Sequence, residues 1–105
     1  MPWTVSYHPA ALDEANDQPT DIRARLERLT EVIEERGPDL LPPKTVSHLR
    51  DGIWELRLKG KDGISRALYV TRREQQLIIV RIFTKKTQKT PPREIKLALA
   101  RAEEV

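Results

Sequence analysis

The chain has 105 residues, 33% of them charged, and it contains no cysteine. This length fits a single domain spanning residues 1–105, and the missing thiols exclude disulfides, zinc-thiolate sites and iron–sulfur clusters. No apolar run approaches the roughly 20 residues needed to cross a membrane, and the N-terminus lacks the pattern of a signal peptide. We therefore expect a cytoplasmic protein without a membrane partner.

Charge is distributed unevenly along the chain, although the net charge is only +3. Residues 1–43 carry four arginines and nine acidic residues, a net charge of −5. Residues 44–105 carry fifteen lysines or arginines and seven acidic residues, a net charge of +8. A basic half is expected where a surface meets a polyanion, although a solvated surface without a partner explains these counts equally well.

The first half of the chain predicts one strand and two helices. Residues 3–7 alternate apolar and polar side chains, which is typical of a half-buried strand. A short helix is predicted at residues 9–16. A longer one is predicted at 20–36, where apolar residues recur at helical spacing, with Thr20 as its N-cap and Gly37 just after its end.

A meander of three strands is predicted after a proline-containing connector at residues 40–44. The strands are expected at 53–59, 64–71 and 77–83, because short turns separate these runs of alternating or continuous apolar residues. Apolar and polar side chains fall on opposite faces of the first strand. Its polar face carries Glu55, Arg57 and Lys59.

A basic loop at residues 84–90 contains no apolar side chain and leads into the last helix. Thr90 is expected to cap this helix, since Pro91 and Pro92 suit a first turn whose N–H groups lack intrahelical partners. The order of elements predicts an α+β domain built on an antiparallel sheet, made of the meander and the N-terminal strand. We expect the helices to cover one face of this sheet and leave the other open.

Cations are expected to converge near the ends of the meander strands. Lys85 and Lys86 directly follow the last strand, and Lys89 lies in the same loop. In a meander, the end of the third strand lies beside the start of the second, where Arg66 is found. Arg66 is in phase with Leu68, so its side chain points to the apolar face unless a bulge redirects it, and the sequence leaves both orientations open.

These cations suit RNA cleavage better than metal or histidine chemistry. The two histidines, His8 and His48, lie far apart without acidic ligands beside them, so we expect no metal and no cofactor. RNA supplies its own nucleophile, the 2′-OH, and arginine and lysine supply charge stabilisation and proton transfer. Tyr69 would either add a proton donor or stacking surface, or pack in the core.

Three sequence blocks carry a family resemblance. They are D-G-I-W-E-L-R at 51–57, R-A-L-Y at 66–69 and F-T-K-K-T-Q-K-T-P at 83–91. In these blocks, and in the order of elements over nearly the whole chain, the sequence resembles the phage-derived Gp49-like, or HigB-like, toxins of the RelE/ParE superfamily. The resemblance implies a RelE-like fold and a type II toxin, encoded beside the gene of a helix-turn-helix antitoxin.

The resemblance also implies an endoribonuclease that enters the ribosomal A site and cuts translated mRNA without a metal, which inhibits translation. By position, Arg57 and Arg66 would bind and polarise the scissile phosphate, and Lys85 would transfer a proton or stabilise charge. Glu55 would orient Arg57 or form an ion pair on the strand face. The residues left to hold the RNA backbone or ribosomal RNA are Lys59, Lys61, Lys86 and Lys89.

Two other functions fit the same fold. A ParE-like toxin poisons DNA gyrase without being an enzyme, and a basic module binds RNA or the ribosome without catalysis. The cluster of Arg57, Arg66 and Lys85 favours the nuclease over the gyrase poison, because a poison needs no phosphate-cleaving pocket. The acidic helix at 20–36 is a candidate docking surface for the antitoxin as well as a cover for the sheet.

Overall fold

A mixed five-stranded sheet with helices on both faces forms the body of the protein. The computed structural model describes residues 2–85 and 89–105, with only the backbone at Lys85. The elements are β1 Thr4–Tyr7, α1 Pro9–Asn16, α2 Thr20–Arg36, β2 Val46–Arg50, β3 Ile53–Gly60, β4 Gly63–Arg72, β5 Gln76–Lys85 and α3 Pro92–Ala102, with a 3-10 turn at Pro38–Leu40. The predicted α+β class is confirmed. None of the helices in these ranges is long and apolar enough to cross a membrane.

The strand order in the sheet is β1-β5-β4-β3-β2. The predicted meander of β3, β4 and β5 is confirmed, and each of its pairs is antiparallel. The expectation of a wholly antiparallel sheet is wrong at one edge, because β1 runs parallel to β5. The long connection between them passes through two helices and three strands, so it can return the chain to this edge in the same direction.

Helix α2 covers one face of the sheet and has the predicted bounds, Thr20–Arg36. It ends at Gly37, whose φ of 85° suits only glycine, and a Cβ there would lie 2.7 Å from Nε1 of Trp3. The prediction for its start is wrong by one position. Pro19 is the N-cap, Thr20 is already helical, and no side chain caps the helix.

Two apolar clusters lie on opposite faces of the sheet. The first joins α1 and α2 to the sheet face that carries Leu56 and Tyr69. The second joins α3 to the other face, through contacts of Ile95 and Ala98 with residues such as Leu68. The expectation of an open second face is therefore wrong where α3 packs, because the apolar stripe of α3 covers the apolar positions on that side.

A network of ion pairs holds α1, β5 and α3 together beyond the end of β1. Arg81 on β5 donates to Glu94 of α3, with Nε 2.7 Å from Oε1, and also to Glu14 of α1. Glu14 accepts further bonds from Arg101 of α3 at 2.8 Å and from the backbone N–H of Ile82 at 3.0 Å. The bond to Ile82, and a bond from Arg101 to the carbonyl of Val80 at 3.0 Å, satisfy backbone groups of β5 beyond the residues that β1 covers.

Candidate functional site

A groove of about 350 Å³ lies between β2, the sheet face that carries Glu55 and Arg66, and the start of α3. The meander places Glu55 and Arg66 in it, and the segment before α3 places Lys89 and Thr90 there. Arg50 of β2 lines the opposite side. The groove therefore combines a sheet face with Lys89 and Thr90, the described residues at the end of the basic loop.

Arg66 is held within this groove by Glu55. Arg66 is 6% exposed and Glu55 is 1% exposed, and Nη1 of Arg66 donates to Oε2 of Glu55. The hydroxyl of Thr90 donates to the other carboxylate oxygen of Glu55. The prediction that Thr90 caps α3 is wrong, because its hydroxyl is used in this way and Pro91 is the N-cap. A fixed, desolvated guanidinium is a strong binding group for phosphate.

One donor of Arg66 is left unused. Its Nε is buried and has no hydrogen-bond partner among the described residues. Leaving a buried donor unpaired costs about 1–3 kcal/mol, so such groups are rare, and a ligand that accepts a hydrogen bond from Nε would remove this cost.

The sequence leaves the orientation of Arg66 open. In the structure its side chain lies on the face that simple alternation along β4 predicts, which is the face that carries Leu68. The bulge in the β4–β5 pairing lies between Leu68 and Tyr69, beyond Arg66, and does not redirect it. Arg66 pairs in register with Phe83 on one side and with Arg57 on the other. Of the two predicted roles for Glu55, the ion pair on the strand face is the one observed, and its partner is Arg66.

Arg57 lines a different recess. This second recess has about 250 Å³ and lies at the edge of β3, under the loop before β2. Lys59, predicted to bind RNA, lines it as well. The two arginines are cross-strand neighbours in register, but their side chains do not share one recess.

The structure separates the predicted lysines. Lys89 lines the groove of Arg66, whereas Lys61 lies at the β3–β4 turn, where its N–H donates to the carboxylate of Asp21 at 2.7 Å. The backbone of Lys85 pairs with Ile64. The predicted approach of the Lys85 side chain and of Lys86 to Arg66 lies outside the described residues.

The aromatic residues near the groove belong to the core. Tyr69 is 1% exposed and stacks on Trp54, with ring centroids 6.5 Å apart, on the face opposite Arg66. Burial, and then the charge of Asp39, raises the pKa of Tyr69. His48 borders the groove, but its ring packs edge-on against Trp54 at 4.8 Å. Neither Tyr69 nor His48 is therefore aimed at a ligand beside Arg66.

Arg50 and the rest of β2 are the groove residues that sequence reasoning missed. The signal was the turn at Asp51-Gly52, where φ is 53° and 80°. Such a turn joins two antiparallel strands, so the prediction of β3 after it implied a partner strand before it. Among the described residues no group of three or more histidines and carboxylates could hold a metal ion.

Comparisons with known proteins identify the family of the chain and proteins with a similar fold. A family described as phage derived protein Gp49-like (DUF891) matches residues 13–103. The fold resembles an archaeal RelE in its complex with RelB from Pyrococcus horikoshii OT3, with a TM-score of 0.60 and 16% identity over 80% of this chain and 96% of that one. It also resembles a doubly substituted E. coli toxin RelE in the free state, with a TM-score of 0.63 and 16% identity over 96% and 98% of the two chains. None of the curated proteins matches the sequence.

Proposed function

Since the chain belongs to the family of phage-derived Gp49-like proteins, we propose that it is the toxin of a type II toxin–antitoxin system. Its activity is cleavage of mRNA on translating ribosomes in the cytoplasm, which inhibits translation and arrests growth. The family and the RelE-like fold support the class of protein. The groove that holds Arg66 supports RNA cleavage as the reaction.

The observation that carries the proposal is the state of Arg66. Its guanidinium is buried, fixed by Glu55, and keeps one donor without a partner. A phosphate oxygen is a ligand that would satisfy this donor. Nε is buried in the free protein, so a phosphate reaches it only if the side chains around it move.

The proposed reaction needs neither a metal nor a nucleophile from the protein. The 2′-oxygen of the RNA attacks the adjacent phosphorus, a bond from that oxygen to phosphorus forms, and the bond to the 5′-oxygen breaks. The products are a 2′,3′-cyclic phosphate and a 5′-hydroxyl, so one proton leaves the 2′-OH and one reaches the 5′-oxygen. Arg66 stabilises the charge that develops on the phosphate oxygens, and Lys85 is the candidate for proton transfer.

The proposed partners are the ribosome, mRNA and a helix-turn-helix antitoxin from the adjacent gene. One structural neighbour is a RelE bound to RelB, which supports a cognate antitoxin as a partner. A gyrase poison and a non-catalytic RNA-binding module remain the competing functions. The buried Arg66 favours the nuclease, because neither competitor needs a fixed guanidinium with an unused donor.

Mapping of mRNA 5′ ends tests the proposal, in cells and on purified translating ribosomes. We expect codon-phased cuts with the wild type and none with Arg66→Ala/Lys85→Ala. The control, Arg73→Ala/Lys96→Ala, removes the same charge at two exposed positions outside the groove. Because Arg66 is buried, Lys85→Ala alone and Glu55→Leu/Arg66→Met are tested as well, with the fold checked by circular dichroism.

The competing functions give different results in the same cells. Intact mRNA with DNA breaks would identify a gyrase poison, and ribosome binding without cuts or breaks would identify a binding module. Normal cleavage by the folded Arg66 variants would show that the active site lies elsewhere.

A further inference from the structure

The second recess gathers four cations from three parts of the fold. Arg25 comes from α2, Lys44 from the loop before β2, and Arg57 and Lys59 from β3. Their side chains line one recess of about 250 Å³. Neither Arg25 nor Lys44 was singled out by the sequence, because only the fold brings them beside β3.

No negative charge neutralises this cluster. No acidic residue lines the recess, and none of its four cations forms an ion pair within the described ranges. Like charges gathered at one place repel one another. An anion bound in the recess would replace this repulsion with attraction, so the arrangement favours an anionic ligand.

The backbone at Lys44 gives a second, independent observation. Its φ is 71°, in the left-handed region that costs a residue with a Cβ about 1 kcal/mol. The turn is held in place by two bonds of the buried Thr45, whose N–H donates to Pro42 at 3.1 Å and whose carbonyl accepts from the N–H of Arg57 at 2.9 Å. These bonds fix Lys44 beside the other cations that line the recess, and strained residues of this kind are enriched at ligand sites.

We infer that the second recess binds a backbone phosphate of the RNA strand whose scissile phosphate lies beside Arg66. This inference rests on the proposed function. Arg57 is the register partner of Arg66, so the recess and the groove adjoin on the same pair of strands. Arg57 then holds a phosphate next to the one that reacts, and Arg25 and Lys44 complete that subsite.

An RNA strand fits this recess better than an acidic peptide does. Two of its four cations are arginines, whose planar forks bind phosphate oxygens in pairs. The recess also continues the face that carries Arg66, as a ligand with regularly spaced charges requires.

Binding of an RNA oligonucleotide with 2′-O-methyl groups, which cannot be cleaved, tests this inference. Arg25→Gln/Lys44→Gln should weaken binding by about tenfold or more, because two charge-assisted contacts are lost. The slope of log K against log salt should fall by about 0.7, the value for one phosphate of a single strand. The matched control is Arg73→Gln/Lys96→Gln, which removes the same charge from exposed positions outside both recesses and should change the affinity little.

Titration of the protein with inorganic phosphate, followed by amide NMR, locates the site. The largest shifts should fall on Lys44, Thr45 and Lys59 in the wild type and disappear in Arg25→Gln/Lys44→Gln. Equal RNA affinity of this variant and its control would overturn the inference, as would wild-type shifts confined to other regions. Stronger competition by poly-glutamate than by RNA would assign the recess to an acidic protein instead.

The two proposals fail separately. If the wild type binds RNA through this recess but never cuts mRNA on ribosomes, the subsite stands and the nuclease is refuted. If the wild type cuts mRNA while Arg25→Gln/Lys44→Gln and its control Arg73→Gln/Lys96→Gln bind RNA equally well, the nuclease stands and the subsite is refuted.

Discussion

The buried pair of Glu55 and Arg66 allows a quantitative prediction about stability. Glu55 is 1% exposed and Arg66 is 6% exposed, so Glu55→Leu leaves in the interior a guanidinium that cannot lose its proton. Breaking a buried ion pair from one side costs about 3–5 kcal/mol. Glu55 also accepts a bond from Thr90, so we expect a value in the upper part of this range.

The opposite substitution should behave differently. Arg66→Met leaves the Glu55 carboxyl buried without its ion-pair partner, but the hydroxyl of Thr90 still donates to it, so the loss of stability should be smaller than for Glu55→Leu. Glu55→Leu/Arg66→Met removes both charges and leaves two apolar side chains. Its stability should be close to that of the wild type, which gives a coupling energy of about 3 kcal/mol or more.

Urea unfolding followed by circular dichroism measures this cycle. With an m-value of about 1.5 kcal/mol/M, a loss of about 3 kcal/mol lowers the midpoint by about 2 M. The exposed pair of Arg28 and Glu31, at 3.6 Å on α2, serves as the control and should show little coupling. If the effects of Glu55→Leu and Arg66→Met were simply additive, the pair would not be coupled and Glu55 would not hold Arg66.

Three further predictions concern the rest of the fold. Burial alone raises the pKa of Glu14, but the bonds from Arg101 and Ile82 and the charge of Arg81 outweigh it, so the pKa lies below its ordinary value of 4.5. The stability from this group is complete above that value and is lost as the pH falls through the lowered pKa, so acid unfolding curves of the wild type and Glu14→Gln should converge at low pH. Gly37→Ala should destabilise the protein by about 1–3 kcal/mol in urea, since φ is 85° there. Burial raises the pKa of both tyrosines, so an absorbance titration of the native protein should find each of them less than half ionised at pH 10.0.

Helix α2 and the meander could be predicted from the sequence because their signals are local. The apolar residues of α2 repeat at helical spacing, and Gly37 ends the helix through its own backbone geometry. The alternation of β3 correctly separates Leu56 from Glu55. These patterns depend only on residues that are close together in the sequence, so they can be recognised without knowledge of tertiary contacts.

Strand β2 was missed because its apolar residues do not alternate. Val46 packs with the α2 side of the sheet and Leu49 with the α3 side, and the register shifts between His48 and Arg50. A spacing of three residues across an irregular edge strand matches neither the period of a strand nor that of a helix.

The site itself depends on contacts that are distant in sequence. The sequence suggests Thr90 as an N-cap because it precedes two prolines and a helical pattern, but Pro91 is the N-cap and the hydroxyl of Thr90 donates to Glu55, which is 35 residues away. Arg57 lines a recess other than the groove of Arg66, and Arg25 and Lys44, which line that recess with it, come from other elements of the fold. No pattern within one segment contains this information.

Cleavage of ribosome-bound mRNA with a single 2′-deoxy nucleotide on the 5′ side of the cut tests the central proposal most directly. The unmodified mRNA should be cut by the wild type to give a 2′,3′-cyclic phosphate and a 5′-hydroxyl, and the deoxy substitution should abolish cutting at that bond alone. Cleavage that persists at the deoxy position would contradict attack by the 2′-OH, and unmodified mRNA left intact by the wild type would contradict the nuclease altogether.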